Sequence, residues 1–313
     1  MADSIQDPES SFSTGVTLSR NLNLFTITMI GIGGMIGAGI FVLTGIAAGV
    51  AGPALILAFA LNGIITSFTA MSYAELGSAY PEAGGSYLWV KEGLGGTQGF
   101  LAGWMSWSAA ASAGALYALG FGRFASELWL LTAFPTFGLT VAQMTMIFMT
   151  LIILAFTFIN FLGASETGSI GNIVTLAKIV ILGLFVLFGI LVMLNSDGWQ
   201  QSFTSDFMPN GFIAVFAAMG VTFVAFEGYE IIVQSGEEVI NPSRNIPRAI
   251  FLAIAVAVTI YLLVSIVAIG ATVPPVGMKV YEYLGLQKEV ALSLIHISEP
   301  TRLRRKSRMP SSA

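Results

Sequence analysis

Long uncharged stretches are the dominant pattern along the chain. Between Arg20 and Glu75 run 54 consecutive residues without Asp, Glu, Lys or Arg, and residues 93–122, 128–165 and 249–278 are equally free of charge. Each exceeds the roughly 20 residues that cross a bilayer as a helix. Pro53 and the small residues beside it divide the first stretch. The pattern therefore predicts membrane helices near 24–50, 54–73, 97–121, 139–160, 168–194, 211–235 and 249–271, seven in all, with the segment after Glu289 placed to begin an eighth.

Composition agrees and removes whole classes of chemistry. The chain is 55% apolar and 10% charged with a mean hydropathy of +0.83, where a soluble domain carries about 25% charge. Cysteine is absent and His296 is the sole histidine. Thiolate chemistry and imidazole-based acid/base or zinc sites are thereby excluded from the body of the chain. No cofactor or metal is expected, no nucleic-acid partner is implied, and a membrane-embedded enzyme is disfavoured. Residues 1–20 are acidic and polar and lack the basic start and short apolar core of a cleaved signal. They read as a disordered cytoplasmic lead to a multi-pass protein of the plasma membrane. With the N-terminus inside, cytoplasmic segments carry Arg20, Lys91, Arg244 and Arg248, and outer ones carry Arg123, Lys279 and Lys288, four basic residues against three.

The last 22 residues differ from the rest. Residues 1–291 hold eight basic and sixteen acidic side chains, net −8, whereas 292–313 hold five basic and one acidic, net +4. A basic cytoplasmic terminus is one reading of that composition. The letters suggest another: LSLIHISEPTR, Leu292 to Arg302, resembles the translated transposon-end adaptor of a sequencing library, and SRMPSSA from Ser307 resembles the adaptor beyond its index, with Leu303 to Lys306 as barcode. On this reading the transmembrane core is residues 21–291, truncated, and the natural protein is expected to continue past about Ala291.

Three features inside the spans are costly enough to need a reason. The first span reads Gly31-Ile-Gly-Gly-Met-Ile-Gly-Ala-Gly-Ile-Phe41, five glycines within nine residues, each costing a helix about 1 kcal/mol relative to alanine. Such a helix can open, and opened backbone is tolerated in a membrane only where it lines a cavity or meets a ligand. Close helix packing also suits these glycines, since Gly33 with Gly37, and Gly45 with Gly49, have small-xxx-small spacing. A dinucleotide-binding fingerprint does not fit, because position 36 is Ile and no strand precedes the run. In the sixth span, Gly220-Val-Thr-Phe-Val-Ala-Phe-Glu-Gly-Tyr-Glu230 sets Glu227 beside Gly228 deep in apolar sequence. A carboxylate there marks a pathway or proton site, or else approaches the inner surface beside Glu237 and Glu238. Lys178 lies ten residues into the fifth span, about 15 Å from its start, too deep to snorkel to water. A fixed partner or a cavity is expected.

GIGGMIGAGIF in the first span, YAELGSAYPEAGGSYLWVKEGLG from Tyr73 and EEVINPSRNIPRAI from Glu237 resemble the signature stretches of amino acid permeases of the amino acid-polyamine-organocation superfamily. The resemblance covers residues 20 to about 290. It implies an all-α membrane protein of the LeuT-type inverted-repeat fold, five helices plus five, of which about seven of twelve transmembrane helices are present here. In that fold helices one and six, the first of each repeat, are discontinuous, which matches the two broken spans. The Glu75 motif then reads as a structural cytoplasmic elbow.

The resemblance also carries residues. The break in helix one corresponds to Met35, Ile36, Gly37, Ala38 and Gly39, whose amides at a helix start would receive a substrate carboxylate, with Gly33 and Gly34 beside them in the binding site. In helix six, carbonyl groups from Val224 to Glu227 beside Gly228 would accept the substrate ammonium, and Phe226 or a neighbour would close the site from outside. Small residues from Ser108 to Gly114 would shape the pocket. Lys178 corresponds to a lysine that, in proton-linked relatives, occupies the place of a sodium ion. Glu227 departs from the generic pattern, since many relatives are apolar there. The implied function is secondary active transport of amino acids, by proton-coupled symport or exchange, with sodium as the other possible coupling ion. An amino acid sensor using the same pocket without transport is the alternative.

Overall fold

The computed structural model describes residues 20–287 except 38, 83, 133–137, 163, 197–198, 205–206 and 276, with backbone alone at 162 and 164–170. Ala38, the lead before Arg20, Lys288 and the adaptor-like tail therefore lie outside the described residues. The described chain is helical: α1 Leu24–Met35, α2 Thr44–Ala51, α3 Leu55–Ala79, α4 Ser86–Leu94, α5 Gly96–Leu131, α6 Val141–Leu162, α7 Ala164–Asn195, α8 Gln201–Thr204, α9 Gly211–Thr222, α10 Glu230–Gln234, α11 Pro242–Gly270 and α12 Val280–Gln287.

Among the described residues, five stretches are long and apolar enough to cross a membrane: Leu24–Ala79, Val141–Phe161, Gly171–Asn195, Gly211–Gln234 and Pro242–Gly270. The first has 56 residues, which would run about 84 Å as straight helix against a hydrocarbon core of about 30 Å. It folds back at Gly52, whose φ of +66° only glycine adopts easily, followed by Pro53. α5, the third expected span, is 36 residues long but rich in Gly, Ala and Ser, and it carries the Arg123–Glu127 pair at 3.7 Å near its end.

Boundaries moved where helices outlast the apolar window. α5 runs ten residues beyond the expected end at 121. α11 starts seven residues before 249, because Asn241 takes the left-handed conformation and Pro242 opens the helix at its first position. Sequence pattern registers lipid contact, whereas a helix ends where its capping does. A short helix, Val280–Gln287, follows the seventh span and packs against α2 with Gly285 opposite Gly49, and the segment after Glu289, expected to begin an eighth span, lies outside the described residues.

α1, α3, α9 and α11 form the buried centre. Ile27, Phe59, Ala218, Ile250 and Tyr261 are fully enclosed there. α6 and α7 lie outside and present Leu154, Phe158, Phe161, Leu187 and Phe188 outward, the face that a lipid-embedded helix needs, since acyl chains solvate it without penalty. On the cytoplasmic side of the expected topology, Leu22 pairs with Val239 in a single parallel bridge. The Leu22 N–H donates to Glu238 and the Ile240 N–H donates to Leu22, both at 2.9 Å. The entry to α1 is thus tied to the loop that leads into α11.

Candidate functional site

Both broken spans are open in the structure, and the two openings lie against each other. α1 stops at Met35, Ile36 leaves helical geometry, and a π-helical turn, Gly39–Leu43, restarts the chain into α2. The sixth span unwinds through a tight 3-10 turn, Phe223–Phe226. Glu227 is then extended, Gly228 sits at φ +124°, and α10 resumes at Glu230. A Cβ on Gly34 would approach the Gly228 carbonyl oxygen to 2.9 Å, and one on Gly39 would approach Ala225 Cα to 2.8 Å. The glycines therefore serve both readings of the sequence: they permit the break, and they let backbone meet backbone across it.

Opened backbone at this depth must find partners, and distant side chains supply them. The Lys178 ammonium on α7 donates to the carbonyl oxygens of Gly33 at 3.0 Å and Ile36 at 2.8 Å. These charge-assisted bonds are the fixed partner expected for a mid-span lysine. The fully buried Tyr261 hydroxyl on α11 lies 2.6 Å from both the Met35 and the Ala225 carbonyl oxygens. Asn62 of α3, 1% exposed, donates to the Met219 carbonyl at 2.9 Å and bonds the Thr222 hydroxyl at 3.0 Å, just where α9 begins to unwind. Glu230 turns back to accept the Gly228 N–H at 2.7 Å.

The expected site residues do not all fall in one place. Gly33 packs against Thr175 of α7 and Gly34 against Gly228, while Met35 and Ile36 are buried. Gly37 faces the Tyr117 ring of α5, its virtual Cβ lying 3.1 Å from Cζ. Val224 and Glu227 are half-buried at the second opening. Phe226 is 1% exposed and packed between Phe59 and Tyr261, ring centroids at 6.1 and 5.3 Å. Ser108, half-buried, lies nine residues before Tyr117 on α5, about 13 Å along the helix; its carbonyl accepts from the Ser112 hydroxyl. Tyr117 is an α5 side chain that reaches the break, its ring lying against Gly37.

Tyr117, Tyr261 and Asn62 were not singled out from the sequence. Asn62 and Tyr261 had a usable signal, since a lone hydrogen-bonding side chain in an uncharged span needs a partner. Tyr117 had none, because tyrosine suits an interface or a core equally. A cavity of about 400 Å³ opens elsewhere, lined by Pro53, Trp199, Gly270, Thr272 and Tyr281, and it includes no residue of either break.

The arrangement brings the restart of the first helix, Gly39–Leu43, against the carbonyl-bearing turn Phe223–Phe226, and helix starts and ends leave amides and carbonyls in need of partners. Such a pair complements a small zwitterion. Residues 22–288 match the family described as amino acid permease. The chain is 34% identical over 278 residues to the branched-chain amino acid permease BcaP of Bacillus subtilis, covering 85% of this chain and 58% of that protein. It is 35% identical over 271 residues to the methylthioribose transporter of the same organism, covering 83% and 57%. It is 29% identical over 270 residues to the human cationic amino acid transporter 4, covering 80% and 41%. The chain thus spans about half the length of the curated relatives it matches.

Proposed function

Since the chain belongs to the amino acid permease family, whose members matched here are transporters and not enzymes, we propose that it acts in secondary active transport of amino acids across the plasma membrane. The observation that carries this reading is the contact between the two broken helices, Gly34 against Gly228 and Gly39 against Ala225. The substrate carboxylate meets the amides of the restarted first helix near Gly37 and Gly39, where the fixed dipole favours an anion. Its ammonium meets the carbonyls of Val224 to Glu227, and Glu227 biases which side chains are admitted. Lys178 couples transport to protons, alternating between an ammonium held by the Gly33 and Ile36 carbonyls and a neutral amine, in symport or exchange. The N-terminus is cytoplasmic.

Counterflow of labelled amino acids into proteoliposomes tests the reading, using protein expressed from the complete gene. Wild type accumulates label against an unlabelled internal pool. Gly37→Leu inserts normally and loses both binding by calorimetry and counterflow, because its branched side chain must enter the space between Gly37 and the Tyr117 ring. Wild-type affinity in that variant would make the run a packing surface and nothing more.

A further inference from the structure

Tyr261 is hydrogen-bonded to both breaks at once, and its hydroxyl has one proton for two acceptors. The Met35 and Ala225 carbonyl oxygens each lie 2.6 Å from the phenol oxygen, within the range of a good O–H···O bond. Only one of them is served at a time. The two acceptors are not equivalent, because Met35 also accepts the Gly37 N–H at 2.9 Å, whereas among the described residues Ala225 accepts from the hydroxyl. The ring cannot drift to favour either, being fully buried and packed on Phe59 and Phe226 with centroids at 5.5 and 5.3 Å.

We propose that Tyr261 is a positioning residue whose hydroxyl competes with the substrate ammonium for the Ala225 carbonyl, and so passes occupancy of the second break to the first. This rests on the transport reading above. An arriving ammonium donates to Ala225 and releases the phenol proton to Met35, closing the contact between Tyr261 and the end of α1. On departure the hydroxyl turns back, so that the buried Ala225 oxygen is never left without a donor. The single proton makes the two acceptors alternatives, and the alternation links substrate to α1 without any movement of the ring.

The competition sets a sign opposite to that of a simple structural post. Tyr261→Phe keeps the ring and removes the competitor, so the ammonium becomes the sole donor to Ala225. Losing it then strands a buried acceptor, a penalty large enough to shift an equilibrium about 10-fold. Binding of the twenty proteinogenic L-amino acids is measured by calorimetry on wild-type and variant protein from the complete gene, and maximal exchange is measured in proteoliposomes. The variant is expected to bind the preferred amino acid about 10-fold more tightly and to exchange it correspondingly more slowly, because release carries the cost. Site-specific 3-fluorotyrosine at 261, a stronger donor on the same ring, moves the dissociation constant upward and serves if the phenylalanine variant does not elute as a single detergent-solubilised species. Unchanged or weakened binding by Tyr261→Phe, with wild type binding normally, overturns the competing role alone. A wild type that binds none of the twenty overturns the transport reading and this inference with it.

Discussion

Gly228→Ala puts the contact between the breaks to its severest test. Gly228 has φ +124°, a region open to glycine and strained for alanine by about 1–3 kcal/mol. An added Cβ would lie 2.5 Å from the Met35 amide nitrogen and 2.8 Å from the Gly34 carbonyl oxygen. Both are backbone atoms held by the rest of α1, so no side chain can rotate away. Restoring ordinary contact requires the two segments to part by about 1 Å. The same parting stretches the Tyr261 bonds, both of which are 2.6 Å, and leaving a buried carbonyl unpaired adds about 1–3 kcal/mol. The sum, about 2–6 kcal/mol, is a large share of a typical domain's stability. Gly220→Ala is the control, since it lies on α9 with nothing within 4 Å of its Cβ and gains helix propensity. Thermal unfolding of detergent-solubilised protein, followed by size-exclusion, should show Gly228→Ala several degrees below wild type and without amino acid binding, and Gly220→Ala at or above wild type with binding intact. If Gly228→Ala unfolds and binds like wild type, the backbone contact is not there and the argument built on it fails.

Two further outcomes test the side chains that support the openings. Lys178→Gln keeps a donor toward the Gly33 and Ile36 carbonyls but removes a titrating group; uptake driven by a pH gradient should vanish while exchange at equal pH persists, and gradient-stimulated uptake at the wild-type level would rule out the coupling role. Asn62→Leu, close in volume, removes the donor to Met219 and the bond to Thr222. It should destabilise the protein by about 1–2 kcal/mol, at the upper end of interhelical hydrogen bonds in membranes, which a midpoint indistinguishable from wild type in the same unfolding assay would contradict.

The sequence alone marked the apolar stretches, because the bilayer imposes length and apolarity on each crossing independently of the others, but the third expected span, near 97–121, became α5, which is not among the five described stretches long and apolar enough to cross. It also located both breaks, since five glycines between Gly31 and Gly39 and a Glu–Gly pair at 227–228 carry a cost that regular membrane helices do not bear. It marked Lys178 as needing a partner for the same reason. Which partner was beyond it: the Gly33 and Ile36 carbonyls lie 145 and 142 residues away, and Met35 lies 226 residues from Tyr261. Only tertiary packing decides such pairings, because a carbonyl freed by a break carries no sequence signature and any donor that the fold brings near can satisfy it. The same holds for the glycines. Their number says that the helix can open, whereas the fold assigns Gly34 to Gly228, Gly37 to Tyr117 and Gly49 to Gly285.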